Sequence, residues 1–285
     1  MAHPWHRSAL HTAAWLCPLG LAAVATALLT APGAAQATSE TAVRAAPGSV
    51  AGLLAPPRQA GGWLVEWTPY VWAAGLDGEV GIRGRTASVD LGFTELLKKL
   101  DGALFLPVEM RKGRWGTGIE VILVKLSDQA GTPGPVFDQV KASADQTVLE
   151  ISPRYRVAER QPVAVDLLSG GRLWHLTSRL TFTTRDRPDL LVEAGERWID
   201  PFIGARVIAD LGRRWSVRAR GDFGGFGIGS DLTWNLLGGV GYLINDRVAL
   251  RAGYRHLAVD FRDEQDGFTF DIATSGWILG VSIQP

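Results

Sequence analysis

The chain has 285 residues, with 29 basic residues against 29 acidic ones and a single cysteine. That balance offers no basic excess for nucleic-acid binding. Cys17 alone supports no disulfide framework and no thiolate metal centre.

The first 37 residues read as an exported signal that is cleaved. Arg7 is the only charged side chain there, Ala13 to Thr30 is almost unbroken Ala, Leu and Val, and Ala35-Gln36-Ala37 makes a small-residue cleavage box. The apolar run is short for a membrane span. Cys17 sits inside it behind Trp15-Leu16, which does not fit a lipidation site. Its removal leaves one more acidic residue than basic. Residues 38–61, rich in Ala, Pro and Gly, read as a flexible periplasmic leader, and the texture from Gly62 onward is that of one domain over 62–285.

From there the dominant signal is alternation. A long first strand is predicted from Gly62 to about Ile82. The stretch to Leu91 reads as a hairpin return, and Phe93 to Leu100, FTELLKKL, as a short helix that Thr94 can cap. In RWGTGIEVIL, residues 114–123, Trp115, Thr117, Ile119, Val121 and Leu123 share one face while Arg114, Gly116, Gly118 and Glu120 share the other. Around 214–222, Trp215, Val217 and Ala219 alternate with Arg218, Arg220 and Asp222. Around 248–255, Leu250, Ala252 and Tyr254 alternate with Arg251, Gly253 and Arg255. Period two over ten or more residues is the mark of long strands.

Joint lengths separate a barrel from a soluble sandwich. Short joints at Lys112-Gly113, Ala158–Gln161, Gly212–Arg214 and Asn245-Asp246 alternate with long ones at Ser127–Gln139, Thr184–Glu196, Gly224–Asp231 and Arg262–Gly267. Short joints on one rim and long joints on the other describe an antiparallel up-and-down transmembrane β-barrel, all-β, with about ten strands and bounds of eight to twelve. Trp115, Tyr155, Trp215 and Tyr242 fall close to the short joints and are expected as membrane-interface aromatics.

If a membrane covers the apolar face, the ionic face is the lumen. The inward set is then Glu109, Arg111, Glu120, Glu150, Arg154, Arg156, Asp166, Arg172, Asp200, Arg206, Arg218, Arg220, Asp222, Arg251 and Arg255. In so narrow a lumen these charges must pair. They read as an ion-paired plug or, more sharply, as the lining of a narrow pore biased to anions, since arginines outnumber carboxylates.

WTPYVWAAGLDGEVGIRGR at 67–85, RKGRWG at 111–116, WIDPFIGAR at 198–206 and RGDFGGFGIGSDLTW at 220–234 resemble small outer-membrane β-barrel proteins of Gram-negative bacteria, of largely uncharacterised families distantly like the OmpA-type barrels. The resemblance covers residues 62–285 and implies a porin-like fold and an outer-membrane location. It implies no activity. Such proteins usually end in an aromatic residue, whereas this chain ends Ser282-Ile283-Gln284-Pro285.

Function on this reading is structural or anchoring, or a narrow anion-biased channel, and not enzymatic. The alternative is an outer-membrane enzyme acting on lipid, with His175 beside Ser178 or His256 beside Asp260, or an adhesin-like surface protein. No cofactor, no metal and no nucleic-acid partner is expected. Asp260, Asp263, Glu264 and Asp266 read as a solvated outer loop rather than a calcium site. The expected partners are outer-membrane lipid and the barrel-assembly machinery.

Overall fold

A computed structural model describes residues 62–82, 85–131, 139–183, 190–265 and 267–285. The signal and leader lie outside them, as do parts of three long joints. Twelve strands form one antiparallel sheet: β1 (Leu64–Trp67), β2 (Tyr70–Ile82), β3 (Arg85–Leu91), β4 (Leu100–Lys112), β5 (Trp115–Gly131), β6 (Gln139–Arg160), β7 (Val163–Thr183), β8 (Leu190–Asp210), β9 (Trp215–Gly225), β10 (Leu232–Asn245), β11 (Val248–Asp263) and β12 (Phe268–Ile283). One helix, α1 (Phe93–Lys99), precedes β4.

The sheet closes on itself as a ten-stranded barrel. β1 and β2 are one wall strand interrupted at Thr68-Pro69, because proline has no N–H to donate to the ladder. Glu66, Thr68, Tyr70 and Trp72 nevertheless keep one phase through the break, and all four turn inward. β12 pairs with β2 over Thr269–Gly280 and with β1 at Trp67↔Ile283, so the two ends of the chain close the wall.

The joint on the other side of the first strand is weaker. β1 pairs with β4 at four positions, Leu64↔Arg111 to Trp67↔Val108, and the Thr68 N–H donates to the Pro107 carbonyl at 3.0 Å. Above that, no backbone hydrogen bond joins β2 to β4 among the described residues. β2 pairs with β3 instead, from Leu76↔Leu91 upward, and α1 crosses from β3 to β4. Tyr70 stacks on Phe105 with centroids 5.2 Å apart, and Trp72 meets Phe105 edge-on, so aromatic rings cover this seam from inside.

Several local readings are corrected. Helix α1 begins at a Gly92 N-cap with no side-chain capping bond, so Thr94 sits inside the first turn instead of capping it. The joint read as Ala158–Gln161 shrinks to Gln161-Pro162, because β6 runs on to Arg160. β5 and β8 likewise extend into the predicted long joints, to Gly131 and from Leu190. These strands are 17 to 22 residues long, against the 9–11 that a tilted strand needs to cross a bilayer, so the wall from β5 to β8 rises well beyond the membrane. β9 and β10 are shorter and leave β8 above Phe202 without a β9 partner.

The outward face defines the membrane band. On β5, Ile119, Val121 and Leu123 give way to Lys125; on β7, Leu173 gives way to His175; on β8, Ile199 gives way to Arg197. Trp115 and Tyr155 are direct cross-strand partners with rings 4.7 Å apart, and Trp215 and Tyr242 repeat the pattern at 4.9 Å. Both tryptophans face outward near the short turns, where an amphipathic ring suits the headgroup level. A second ring that alternation alone does not mark, Tyr254 against Trp277 and Trp234 against His256, sits at the opposite edge of the band.

An arginine placed at the middle of this band meets hydrocarbon. Ile203→Arg on the outward face of β8 is expected to destabilise the barrel by about 2–4 kcal/mol, and Leu191→Arg, beyond the band, by about 0–1 kcal/mol. Urea unfolding in lipid vesicles measures both, and equal costs would refute the placement of the band.

Candidate functional site

The interior has two layers. The half nearer the short turns is ionic and the half nearer the long joints is apolar.

In the ionic layer, inward phase on consecutive strands delivers charges from opposite walls to the same level. Arg172 of β7 reaches Glu150 at 2.8 Å and Asp222 at 2.9 Å, and Arg220 of β9 reaches the same two carboxylates, both at 2.8 Å. The four groups form a closed square. Phe202 lies under it, its ring centroid 4.8 Å from the Arg172 guanidinium carbon and 5.7 Å from that of Arg220, close enough for cation–π attraction. Asp222 also accepts a bond from Asn235, which accepts one from Arg255; Arg255 then spans the lumen to Glu120 at 2.6 Å, with the Tyr70 hydroxyl donating to the same glutamate.

A second chain runs nearer the turns. Glu109 takes Arg154 and Arg206, each at 2.7 Å, and Asp166 takes Arg206 and Arg156, each at 2.7 Å. A third centres on Glu66, which pairs with Arg218 at 2.8 Å and with Arg251 at 3.4 Å. Gly118 makes room for one of these cations: a Cβ there would lie 2.2 Å from Arg154 Nη2.

All fifteen charged residues of the expected inward set turn into the lumen in the structure, and thirteen of them lie in these pairs. Arg111 lies beside the network with no ion pair and with a buried Nη1 that has no acceptor. Asp200 is also apart. It is fully buried but holds the β9–β10 turn, accepting from the Ser230 N–H at 2.7 Å, the Ser230 hydroxyl at 2.9 Å and Trp198 Nε1 at 3.2 Å. Glu66, Tyr70 and Asn235 were missed, although the even spacing of Glu66, Thr68, Tyr70 and Trp72 carried the signal for the first two.

The apolar layer was not foreseen. Trp174, Trp198 and Phe261 stack in sequence, with centroids 5.7 Å and 3.9 Å apart, and Phe270, Phe105, Trp72 and Leu96 of α1 belong to the same buried cluster. A lumen in which stacked aromatic rings fill the outer half is packed like a protein core.

Two neighbouring cavities lie in the ionic layer. The larger, about 130 Å³, is bounded by Arg154, Arg206, Arg218, Arg220 and Arg251, by Glu109, Glu120 and Glu150, and on its apolar side by Tyr70, Leu237 and Ile278. The smaller, about 50 Å³, lies at the short-turn rim with Arg111 and Arg114 in its wall, and shares Glu109, Arg154, Arg206 and Arg218 with the larger.

Neither His175 nor His256 is bonded to the partner that the sequence placed beside it. His175 faces outward and Ser178 inward, so they lie on opposite faces of β7, and the ring nitrogen of His175 is 3.4 Å from Thr177 Oγ1. His256 shares a hydrogen bond with Ser275 at 2.6 Å, while Asp260 pairs with Arg262. Asp266 of the carboxylate loop lies outside the described residues.

No protein-family model and no curated protein matches the sequence. Among solved structures, the outer membrane protease OmpT of Escherichia coli superposes with a TM-score of 0.50 at 8% identity, over 78% of this chain and 97% of that one. The chain is an outer-membrane β-barrel. Ail of Yersinia pestis (TM-score 0.33, 11% identity, 79% of this chain and 99% of that one) and Neisserial surface protein A (0.26, 14%, 78% and 96%) are further matches. At these identities the likeness is one of fold.

Removing one partner from a buried pair leaves the other charge stranded. Glu120→Ala, which strands Arg255, is expected to cost about 3–5 kcal/mol. Asp145→Asn, which breaks the exposed contact with Arg179, is expected to cost at most about 1 kcal/mol. Urea unfolding of both variants checks the contrast, and comparable losses would mean that the lumen network is solvated.

Proposed function

We propose that this barrel is a closed anchor: it fixes the tall β5–β8 wall at the outer surface of the outer membrane, passes no solute and carries out no chemistry. One observation carries the reading. Among the described residues, the outer half of the lumen is packed by the stacked rings of Trp174, Trp198 and Phe261 together with Phe270 and Leu96, a buried apolar cluster above the ionic layer. The cross-lumen ion pairs support it from below, because each guanidinium that spans the barrel would have to release a carboxylate to let an ion through.

The outward band supplies the contact with outer-membrane lipid, and the barrel-assembly machinery is the partner that such a fold needs to reach the membrane. Above the band, Arg179 bridges Asp145 and Glu193 on the outward face of the tall wall, a mixed-charge surface suited to contacts outside the cell.

The refolded protein in a planar bilayer is expected to show no steady conductance. Sustained, anion-selective current would replace the anchor with a narrow channel. Lipid A mass spectra from cells with and without the gene are expected to be identical, and a changed spectrum would restore the enzyme reading.

A further inference from the structure

The ionic layer does not balance. Eight paired arginines meet seven carboxylates: Glu66, Glu109, Glu120, Glu150, Asp166 and Asp222 each accept two or more polar contacts, Glu159 takes only Arg156 at 3.8 Å, and Asp200 is committed to the β9–β10 turn. Guanidinium groups stay protonated in proteins, so the surplus cannot be relieved by losing a proton. It has to be met by water or by an anion.

The surplus is localised. Arg251 has one ion pair, 3.4 Å to a Glu66 that Arg218 already holds at both carboxylate oxygens, and otherwise donates only to the neutral hydroxyls of Ser282 at 2.9 Å and Ser216 at 3.2 Å. Arg154, nine-tenths buried, leaves its Nε without an acceptor, and so does Arg218. All three border the 130 Å³ cavity, along with Arg206 and Arg220, so five arginines face three glutamates there. That volume is well above the ~10–15 Å³ that one water needs. The cavity shares walls with the smaller one at the short-turn rim, where Arg111 and Arg114 extend the positive lining outward. Above it the aromatic stack closes the way.

We infer that the larger cavity is a binding site for a small oxyanion, a phosphate or a carboxylate, that enters from the periplasmic rim and is held by Arg154, Arg218 and Arg251. The lumen is then a chamber with one mouth. Guanidinium forks match oxyanions in pairs of N–H···O bonds, and the three cations approach from β6, β9 and β11, so the ligand ties separate walls together. Tyr70, Leu237 and Ile278 on the facing side leave room for a small apolar substituent and set the size limit. This goes beyond the anchor reading and does not depend on it, since occupancy and passage are measured separately.

The test is thermal unfolding of the full mature chain, refolded in detergent at fixed ionic strength, with sodium phosphate or sodium acetate exchanged against sodium chloride, whose anion offers no pair of oxygens to a guanidinium fork. Phosphate or acetate is expected to raise the midpoint saturably by roughly 2 °C or more, since a ligand that binds only the folded state stabilises it. Whichever of the two acts at lower concentration identifies the headgroup. Arg251→Gln is expected to weaken the apparent affinity about tenfold or more. Ile278→Phe pushes a bulkier side chain into the cavity while leaving every charge in place, and is expected to weaken the response even if the arginine variant fails to fold. Equal midpoints in all three salts would overturn the site. So would an Ile278→Phe protein that keeps the faster unboiled gel mobility of a folded barrel and still responds like the parent.

Discussion

A carboxylate inside this barrel has no bulk water to turn to, and the guanidinium that compensates it stands on another strand. Glu120 needs Arg255 from across the lumen, Glu66 needs Arg218, and Glu109 needs Arg206. The ladder of backbone hydrogen bonds fixes each strand against its neighbours only. The ion pairs fix opposite walls against each other, and so set the cross-section that the ladder alone leaves free to flatten. Every other feature of the interior follows from satisfying those charges: the glycine that seats Arg154, the phenylalanine beneath the four-membered square, and the tyrosine that completes Glu120.

The two interior layers divide the work by depth. Within the membrane band, the lumen is braced by charge and its outward face is apolar. Beyond the band, water surrounds the tall wall and its outward face carries Lys125, Arg179 and Glu193, while the apolar interior, which begins inside the band at Phe105 and Ile122, continues like that of a soluble protein. The chain thus inverts its inside-out pattern along its own strands. The apolar stack does at the outer end what the ionic network does at the inner one.

Much of this was legible in the sequence, and the reason is geometric. Alternation fixes which way a side chain points, so the inward placement of Arg154, Arg156 and Arg172 could be read from phase, as could the interface positions of Trp115 and Trp215. Phase carries no information about height. Trp174 and Arg172 share a face two residues apart, yet one belongs to a dry core and the other to an ion network, and only the register between strands decides which. The same limit explains Asp200, which points inward as expected but meets a turn rather than an arginine. Strand ends were misjudged because Ser127, Asp128 and Gln129, and likewise Glu193, Gly195 and Glu196, resemble a loop when the wall is assumed to stop at the membrane. Glu66 and Tyr70 went unseen because their face of the first strand, shared with Thr68 and Trp72, carries a single charge and does not stand out as ionic.

The four-residue contact between β1 and β4 bears on how the cylinder responds to force. Among the described residues, thirteen paired positions join the first wall strand to the last, while four, helped by one bond to Pro107, join it to its other neighbour in the wall, β4. A barrel is commonly pictured as opening where its two ends meet. This one is zipped firmly there, and its peeling point lies between β2 and β4, inside its own opening hairpin. Sideways tension in the bilayer would part Tyr70 and Trp72 from Phe105 before it loosened β12, so the wall has a hinge line whose position is set by two prolines.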